Sequence, residues 1–358
     1  MIKEELVNSG SGVEYSWVDA LIDRLERART PAWLILLLIA GPTYLAFSAI
    51  QWAGDAYSAW TFNAFHAFFV FEIPYLILLM TLLTHWASEA FDEFRSVLIA
   101  EETDEERIRA KLLYSPGAKT LIASVVLATG FLIFLLLVLT QGLFFGGEIY
   151  DLLHAAETPL SIFALATLSV VRWFIYGGFG YHVYHQLSTI SEIYIRWTRI
   201  NIWDARPLYA FPRITALTAV GTIVSPYLWF ALGGGLSETT FSIAMSTLFS
   251  VLALLIFIMP LRGVHEILER EKDRKLGEVA RSLDALKEKL DIAVEQRDFS
   301  QVDGIHKAIS SYQGLKASLE AVATWPWQPG LLRNVIGALA IPIVIWVIQE
   351  ILDSMLQF

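Results

Sequence analysis

Long apolar runs alternate with short polar connections along the chain, and seven of the runs are long enough to cross a bilayer. A crossing helix needs about 20 apolar residues, because the hydrocarbon is about 30 Å thick and each residue rises about 1.5 Å. The pattern predicts spans at Pro31–Trp52, Trp60–Thr84, Lys119–Phe145, Pro159–His182, Ile214–Leu232, Thr239–Leu261 and Leu331–Leu356. Only Gly233–Glu238 separates the fifth from the sixth, a Gly-rich turn that suits a tight helical hairpin.

Between the runs the period changes. Val18, Leu21, Ile22 and Leu25 fall at helical spacing within Trp17–Ala28, which predicts an amphipathic helix along the inner membrane surface within residues 1–30. The second span is expected to continue as helix through His85–Ile99 and the fourth through Tyr184–Ile200. After the sixth span, Leu276, Val279, Leu283, Leu286, Leu290 and Val294 make one apolar stripe. A break is predicted at Arg297–Gly304, and Ile305, Ile309, Tyr312, Leu315, Leu319 and Val322 make a second stripe. Residues 262–330 are therefore expected to form a helical hairpin that returns to the membrane at Trp325-Pro-Trp-Gln-Pro-Gly. A two-helix hairpin alone leaves part of its seam uncovered. Two arrangements stay open: a stalk packed on neighbouring segments or subunits, and an intramolecular hairpin without a partner.

Charge orients the chain. Lys3, Arg24, Arg27 and Arg29 precede the first span, Arg95, Arg107, Arg109, Lys111 and Lys119 follow the second, and Arg196, Arg199, Arg206 and Arg213 follow the fourth. Twelve more lie from Arg262 to Arg333, and Arg172 completes the 26. The alternate connections Ala53–Ser58, Gly146–Thr158 and Gly233–Glu238 carry none, so the expected topology has a cytoplasmic N-terminus and an external C-terminus. The expected organisation is thus an N-terminal helix at 1–30, six spans with helical inner loops at 31–261, a cytoplasmic hairpin at 262–330, and a last, candidate pore-lining span at 331–358.

Composition supports an all-α polytopic membrane protein of the plasma or prokaryotic inner membrane. The 358 residues are 55% hydrophobic and 17% charged, with mean hydropathy +0.53, too apolar for soluble domains of this length. The absence of cysteine excludes thiolate metal sites and cysteine nucleophiles. A net charge of −10 argues against a nucleic-acid partner. No internal repeat, Walker, dinucleotide, HEXXH or GXSXG pattern stands in a suitable context.

The candidate chemistry lies in polar groups inside apolar runs, where an ionisable side chain costs about 2.5–3.5 kcal/mol on insertion scales. Glu72 and Arg172 fall about twelve and thirteen residues from the outer ends of their spans, a depth at which they can pair, with Tyr75 or Tyr176 adding hydrogen bonds. His66, Phe69, Glu72, Tyr75, Arg172, Trp173 and Tyr176 form a candidate ligand pocket among many other aromatics. A helix clamp and a ligand or ion pathway both stay open. At the inner ends, His85 and Glu89 are four apart, and His182 and His185 three apart. Each pair shares a helix face, so the four could bind zinc or a similar divalent metal as the site of a membrane enzyme.

In the last span Gln349, Glu350, Asp353 and Gln357 put a polar stripe on the outer half. Facing a water-filled axis in an oligomer, that stripe would form rings of carboxylates and amides favouring cations; alternatively it ends in external headgroups and water. The outer loops add Asp55, Glu148, Asp151, Glu157 and Glu238, which would concentrate cations.

The arrangement of spans, inner extensions, returning helix and short last span resembles the insect odorant and gustatory receptor superfamily, across the whole chain as topology. In that family the last span carries Thr-Tyr, five mostly apolar residues and Gln-Phe. Here Gln357-Phe358 is kept, Glu350-Ile351 stands for Thr-Tyr, and Asp353 lies within the run. The resemblance implies a homotetrameric ligand-gated cation channel with Asp353 and Gln357 near the outer pore. The reading is therefore an oligomeric cation-permeable channel needing no cofactor, gated by a small ligand among the spans. A metal-dependent membrane enzyme and a sensor or scaffold acting through the hairpin are the alternatives.

Overall fold

The computed structural model describes residues 15–54, 58–141, 158–199, 201–203, 206–232, 239–297, 299–327 and 330–340. Among the described residues the regular structure is entirely helical. In chain order the helices are α1 (Trp17–Arg27), α2 (Ala32–Ala53), α3 (Ala64–Phe94), α4 (Glu102–Leu113), α5 (Gly117–Gln141), α6 (Pro159–Arg196), α7 (Ala210–Leu232), α8 (Thr239–Ile258), α9 (Arg262–Glu295), α10 (Phe299–Glu320) and α11 (Gly330–Ala340). Six segments are long and apolar enough to cross a membrane: Ala32–Ala53, His66–Val97, Gly117–Leu137, Pro159–Arg196, Arg206–Tyr227 and Thr247–Glu295. The seventh expected span is described only over Gly330–Ala340, too short by itself to cross.

Local chemistry sets where the helices start. Trp60 has φ of 67°, and Asn63 caps the next turn by accepting from the His66 N–H at 3.0 Å, so the second span starts at Ala64 rather than Trp60. Thr158 accepts from the Ser161 N–H and Pro159 sits at the first helical position, which starts α6. The 31 residues of α3 and 38 of α6 extend over about 46 and 57 Å at about 1.5 Å each, well beyond the hydrocarbon. Their extended ends are tied by Ile99 N–H to Trp197 O and Arg199 N–H to Val97 O, both 2.8 Å.

Helices α3, α6 and α7 make the centre, with α2 on α3, α5 on α6 and α8 on α7. One extended core contains Leu76, Met80, Leu83, Phe91 and Phe94 of α3, Ile190, Ile193 and Tyr194 of α6, and Phe211 and Ile214 of α7. At α5 and α6 the backbones touch: a Cβ on Gly177 would lie 2.4 Å from Ala123 O and 2.5 Å from Ser124 Cα. Only glycine allows that approach. The other side of α5 leaves Leu121, Ile122, Val125, Val126, Ile133 and Leu136 exposed, as a lipid-facing surface requires.

The N-terminal helix departs from expectation. Its stripe of Val18, Ile22 and Leu25 is buried in the main core, against helices of the bundle rather than along a lipid surface. Two features hold it there. Ser16 and Asp19 form a reciprocal capping box, and Trp17 lies over Gly178, where a Cβ would stand 2.2 Å from its ring, while its indole N–H donates to Ser124 Oγ at 3.2 Å.

Helices α9 and α10 form an antiparallel hairpin. Val279 and Leu319 are buried with Ile202, and Leu276, Leu283, Tyr312 and Val322 pack around them. The Lys272 ammonium donates to Glu320 O at 2.7 Å and Val322 O at 2.8 Å, closing the C-terminus of α10 onto α9. The connection is shorter than predicted. Arg297 takes φ of 57°, which ends α9, and helix resumes at Phe299. Beyond α10 the rings of His265, Trp325, Trp327 and Phe257 stack in succession, with centroids 3.9, 4.3 and 5.3 Å apart, at the point where the chain turns back.

Candidate functional site

The expected charged pair lies at the meeting of the three central helices. Glu72 on α3 and Arg172 on α6 stand 3.1 Å apart (Oε2 to Nη1), with side chains 3% and 7% exposed. Burial this deep disfavours charge unless the remaining lone pairs and protons are engaged. Tyr176, one turn along α6, donates its hydroxyl to Glu72 Oε1, and Ser225 of α7 donates to the same oxygen. The two hydroxyl oxygens lie 2.6 Å apart. The Arg172 guanidinium lies over the Phe69 ring at 4.1 Å and beside Trp173 at 5.8 Å, so aromatic faces cover the cation. Trp173 in turn stacks on Phe131 of α5 at 5.4 Å.

Two prolines flank this network. Pro74 follows Glu72 by two residues and Pro226 follows Ser225 directly, each inside its helix. A proline lacks the N–H that would bond one turn back, so both helices lose a ladder bond at the level of the network. Tyr75 donates across to Gly221 O at 2.7 Å, engaging a carbonyl of α7 in this stretch.

Of the candidate pocket residues, Phe69, Glu72, Arg172, Trp173 and Tyr176 therefore converge. Tyr75 faces α7 beside them. His66 is separated from Glu72 by six residues, about 9 Å along the helix, and packs edge-on against Phe47 of α2 at 4.9 Å. Each of these side chains is engaged by another side chain or by backbone. The assembly satisfies a buried carboxylate and binds three helices to one another. Sequence reasoning did not single out Ser225. A serine directly before a proline in an apolar run was the available signal, but most hydroxyls in such runs bond their own helix, as Thr218 does to Ile214 O and Thr222 to Thr218 O.

The inner-end quartet is divided among separate partners. His85 Nε2 lies 3.3 Å from Glu89 Oε1 with both side chains more than half exposed. His182 is buried, its Nε2 3.2 Å from Thr84 Oγ1. His185 Nε2 lies 2.9 Å from Lys111 O, and its ring stacks over Tyr181. Among the described residues no three His, Asp or Glu side chains group as a metal site. The reason is helix phase: Thr84 occupies the face of α3 turned to α6, and His85, about 100° further round, points out of the bundle. The quartet does not fit a zinc ion as expected.

Gln349, Glu350, Asp353 and Gln357 lie outside the described residues. The segment before them is described over Gly330–Ala340: Val335 is buried in the main core with Leu331, Leu332 and Leu339 partly covered, while Ile336, one step round, is 52% exposed. No protein-family model, curated protein or solved structure matches the chain.

Proposed function

We propose that the chain is one subunit of an oligomeric, cation-permeable membrane channel in which the last helix of each subunit faces a shared axis. The carrying observation is the two-sidedness of that helix. Its start rests on the bundle through Val335 and leaves Ile336 uncovered, while the sequence beyond it bears Gln349, Glu350, Asp353 and Gln357 on its outer half. A polar stripe in lipid is costly, and a water-filled axis between subunits relieves that cost. The resemblance to the odorant and gustatory receptors adds four subunits and a small ligand as the gating stimulus. The closed network at Glu72 and Arg172 serves in this reading as the clamp that holds α3, α6 and α7 together. The spans sit in a plasma or prokaryotic inner membrane with the Lys- and Arg-rich side inward.

The test is reconstitution of the full chain in proteoliposomes. Cation flux is expected, and Glu350→Gln with Asp353→Asn should shift the reversal potential toward weaker cation preference. Absence of flux under ligand, voltage and osmotic stimuli, or an unchanged reversal potential in the variant, counts against the reading. The chain has no cysteine, so Ile336→Cys gives one thiol per subunit, and a cross-linked dimer in the membrane would show that this face meets a neighbouring subunit.

A sensor or scaffold is the second reading. Its support is the uncovered flank of the hairpin, where Ile292, Val294 and Leu315 are exposed. A full-length chain that binds a soluble partner through this flank and conducts no ions would favour it.

A further inference from the structure

Where the chain returns from the hairpin toward α11, one side chain in the first turn of α9 meets three groups at once. His265 Nδ1 lies 3.2 Å from Thr324 O, its Nε2 lies 3.8 Å from Glu269 Oε2, and its ring lies flat on Trp325, with centroids 3.9 Å apart and planes 7° from parallel. The stack continues through Trp327 to Phe257 near the end of α8, so the return segment touches both α9 and α8. Trp327 also packs on the main core with Leu331 and Leu332, and Lys272, two turns further along α9, holds Glu320 O and Val322 O. His265 and Lys272 are therefore the two basic side chains of α9 that grip the stretch leading into α11.

The three contacts share a preference for charge. A carbonyl oxygen only accepts, so Nδ1 carries its proton toward Thr324. In the neutral ring that leaves Nε2 as a lone pair turned toward a carboxylate oxygen, two acceptors with no proton between them. A second proton converts the same contact into an N–H facing an anion, and gives the ring a charge that the indole face attracts. Glu269 has 59% of its side chain in solvent, so rotation can close the remaining distance. The other charges nearby are engaged or turned outward. Arg262 and Glu266 on α9 and Arg333 on α11 are exposed, and the return segment 321–327 and α8 carry no ionisable residue. Glu320 of α10 is met by Lys316 at 3.9 Å. On α6, which packs on the start of α9 through Ile195 against Gly263, Glu192 is held by Arg196 and Lys111.

We propose that His265 is a proton-operated latch on the Lys- and Arg-rich side of the bundle: with the imidazole protonated, the segment Thr324–Trp327 is held on α9, and with it neutral that segment and the entry to α11 loosen. The proton that comes and goes sits on Nε2, while Nδ1–H stays on Thr324 O in both states. Because the charged ring makes the better contacts, the latch is complete at acidic pH and is lost as pH rises through the range of about 5 to 8 in which an imidazole changes charge. The latch is independent of whether the protein conducts ions.

The experiment is amide exchange of the full-length protein in detergent, read as protection of residues 321–327 relative to the unstructured rate at each pH. Protection is expected to rise about five- to tenfold from about pH 8 to about pH 5, while the hairpin core around Val279 and Leu319 stays unchanged. His265→Gln keeps a donor for Thr324 O and takes up no proton in this range, so its protection should stay flat. Glu269→Gln, at an exposed position, should make the rise smaller and move it to lower pH, because the carboxylate facing Nε2 is gone while the stack remains. This second variant decides the matter if His265→Gln does not fold. Flat or falling protection on acidification in the wild type, an equal rise in the hairpin core, a rise that persists in His265→Gln, or one unaltered in size and position in Glu269→Gln overturns the proposal.

Discussion

The same two chemical groups, a carboxylate and a guanidinium, meet in two places with opposite consequences. On α9, Arg274 holds Glu271 one turn back and Glu278 one turn ahead, with about half of the arginine side chain in solvent. In the bundle Arg172 holds Glu72 where both are nearly inaccessible. On α9 water replaces either partner, so the pair contributes little to stability. In the bundle both side chains are withdrawn from solvent, and the pair stands because Tyr176, Ser225 and Phe69 complete its surroundings. Solvent access, rather than the ion-pair distance, decides which of the two matters.

The strongest way to break that contrast is to remove one buried partner. Arg172→Met should cost about 3–5 kcal/mol by leaving Glu72 uncompensated, read as a fall in Tm of the detergent-solubilised protein. The double variant with Glu72→Leu should recover most of the loss. If single and double variants are equally unstable, desolvated charge is not what the pair controls.

Next is the glycine approach that brings α5 and α6 together around the network. Gly177→Val must push against the Ala123 backbone and should cost about 1–3 kcal/mol, with Trp173 losing its stack on Phe131. Gly178→Leu should instead evict Trp17 and free α1, read as faster trypsin cleavage at Arg24 and Arg27. Unaltered cleavage would show that α1 is held by its capping box and core stripe alone.

On the hairpin the effects are smaller. Lys272→Met removes two hydrogen bonds to the end of α10 and should cost about 1 kcal/mol, seen as faster amide exchange near Glu320. Arg274→Gln should leave Tm unchanged within error. Its hydrogen bonds hold the Glu271 carboxyl below its ordinary range, so any stabilisation is complete above that range and fades as pH falls through the lowered folded value. Exposure makes this contribution slight, and added salt should erase it. A large acid- or salt-dependent loss in the wild-type hairpin that disappears in Arg274→Gln would overturn the comparison.

Several features could be read from residue order because they depend on neighbours within one helix. Apolar run length predicts seven spans; six are helices long and apolar enough to cross a membrane, and the seventh is described only over Gly330–Ala340. The stripes of Val279 and Leu319 predict the contact they make. Glu72 and Arg172 were legible because an ionisable side chain in a long apolar run needs a partner, and each is the other's counter-charge. Ser225 was not, since a hydroxyl in a helix can satisfy itself locally. The inner-end histidines misled for a related reason: three- and four-residue spacing puts two side chains on one face but does not say which way that face turns. The same holds for α1, whose amphipathic stripe fits a lipid surface or a protein groove equally well until Gly178 admits Trp17.

Residue order therefore determined which segments are helical, which can cross a membrane, and which buried charges require each other. Only the tertiary structure decided the partners: that Tyr176 and Ser225 share one carboxylate oxygen, that His85 and His182 part company, and that α1 closes a cavity over α3 and α4. Periodicity is a property of one helix, whereas convergence depends on how each helix is rotated about its own axis against the next. That rotation is set by close packing across the interface, down to single Cβ atoms at positions such as Gly177.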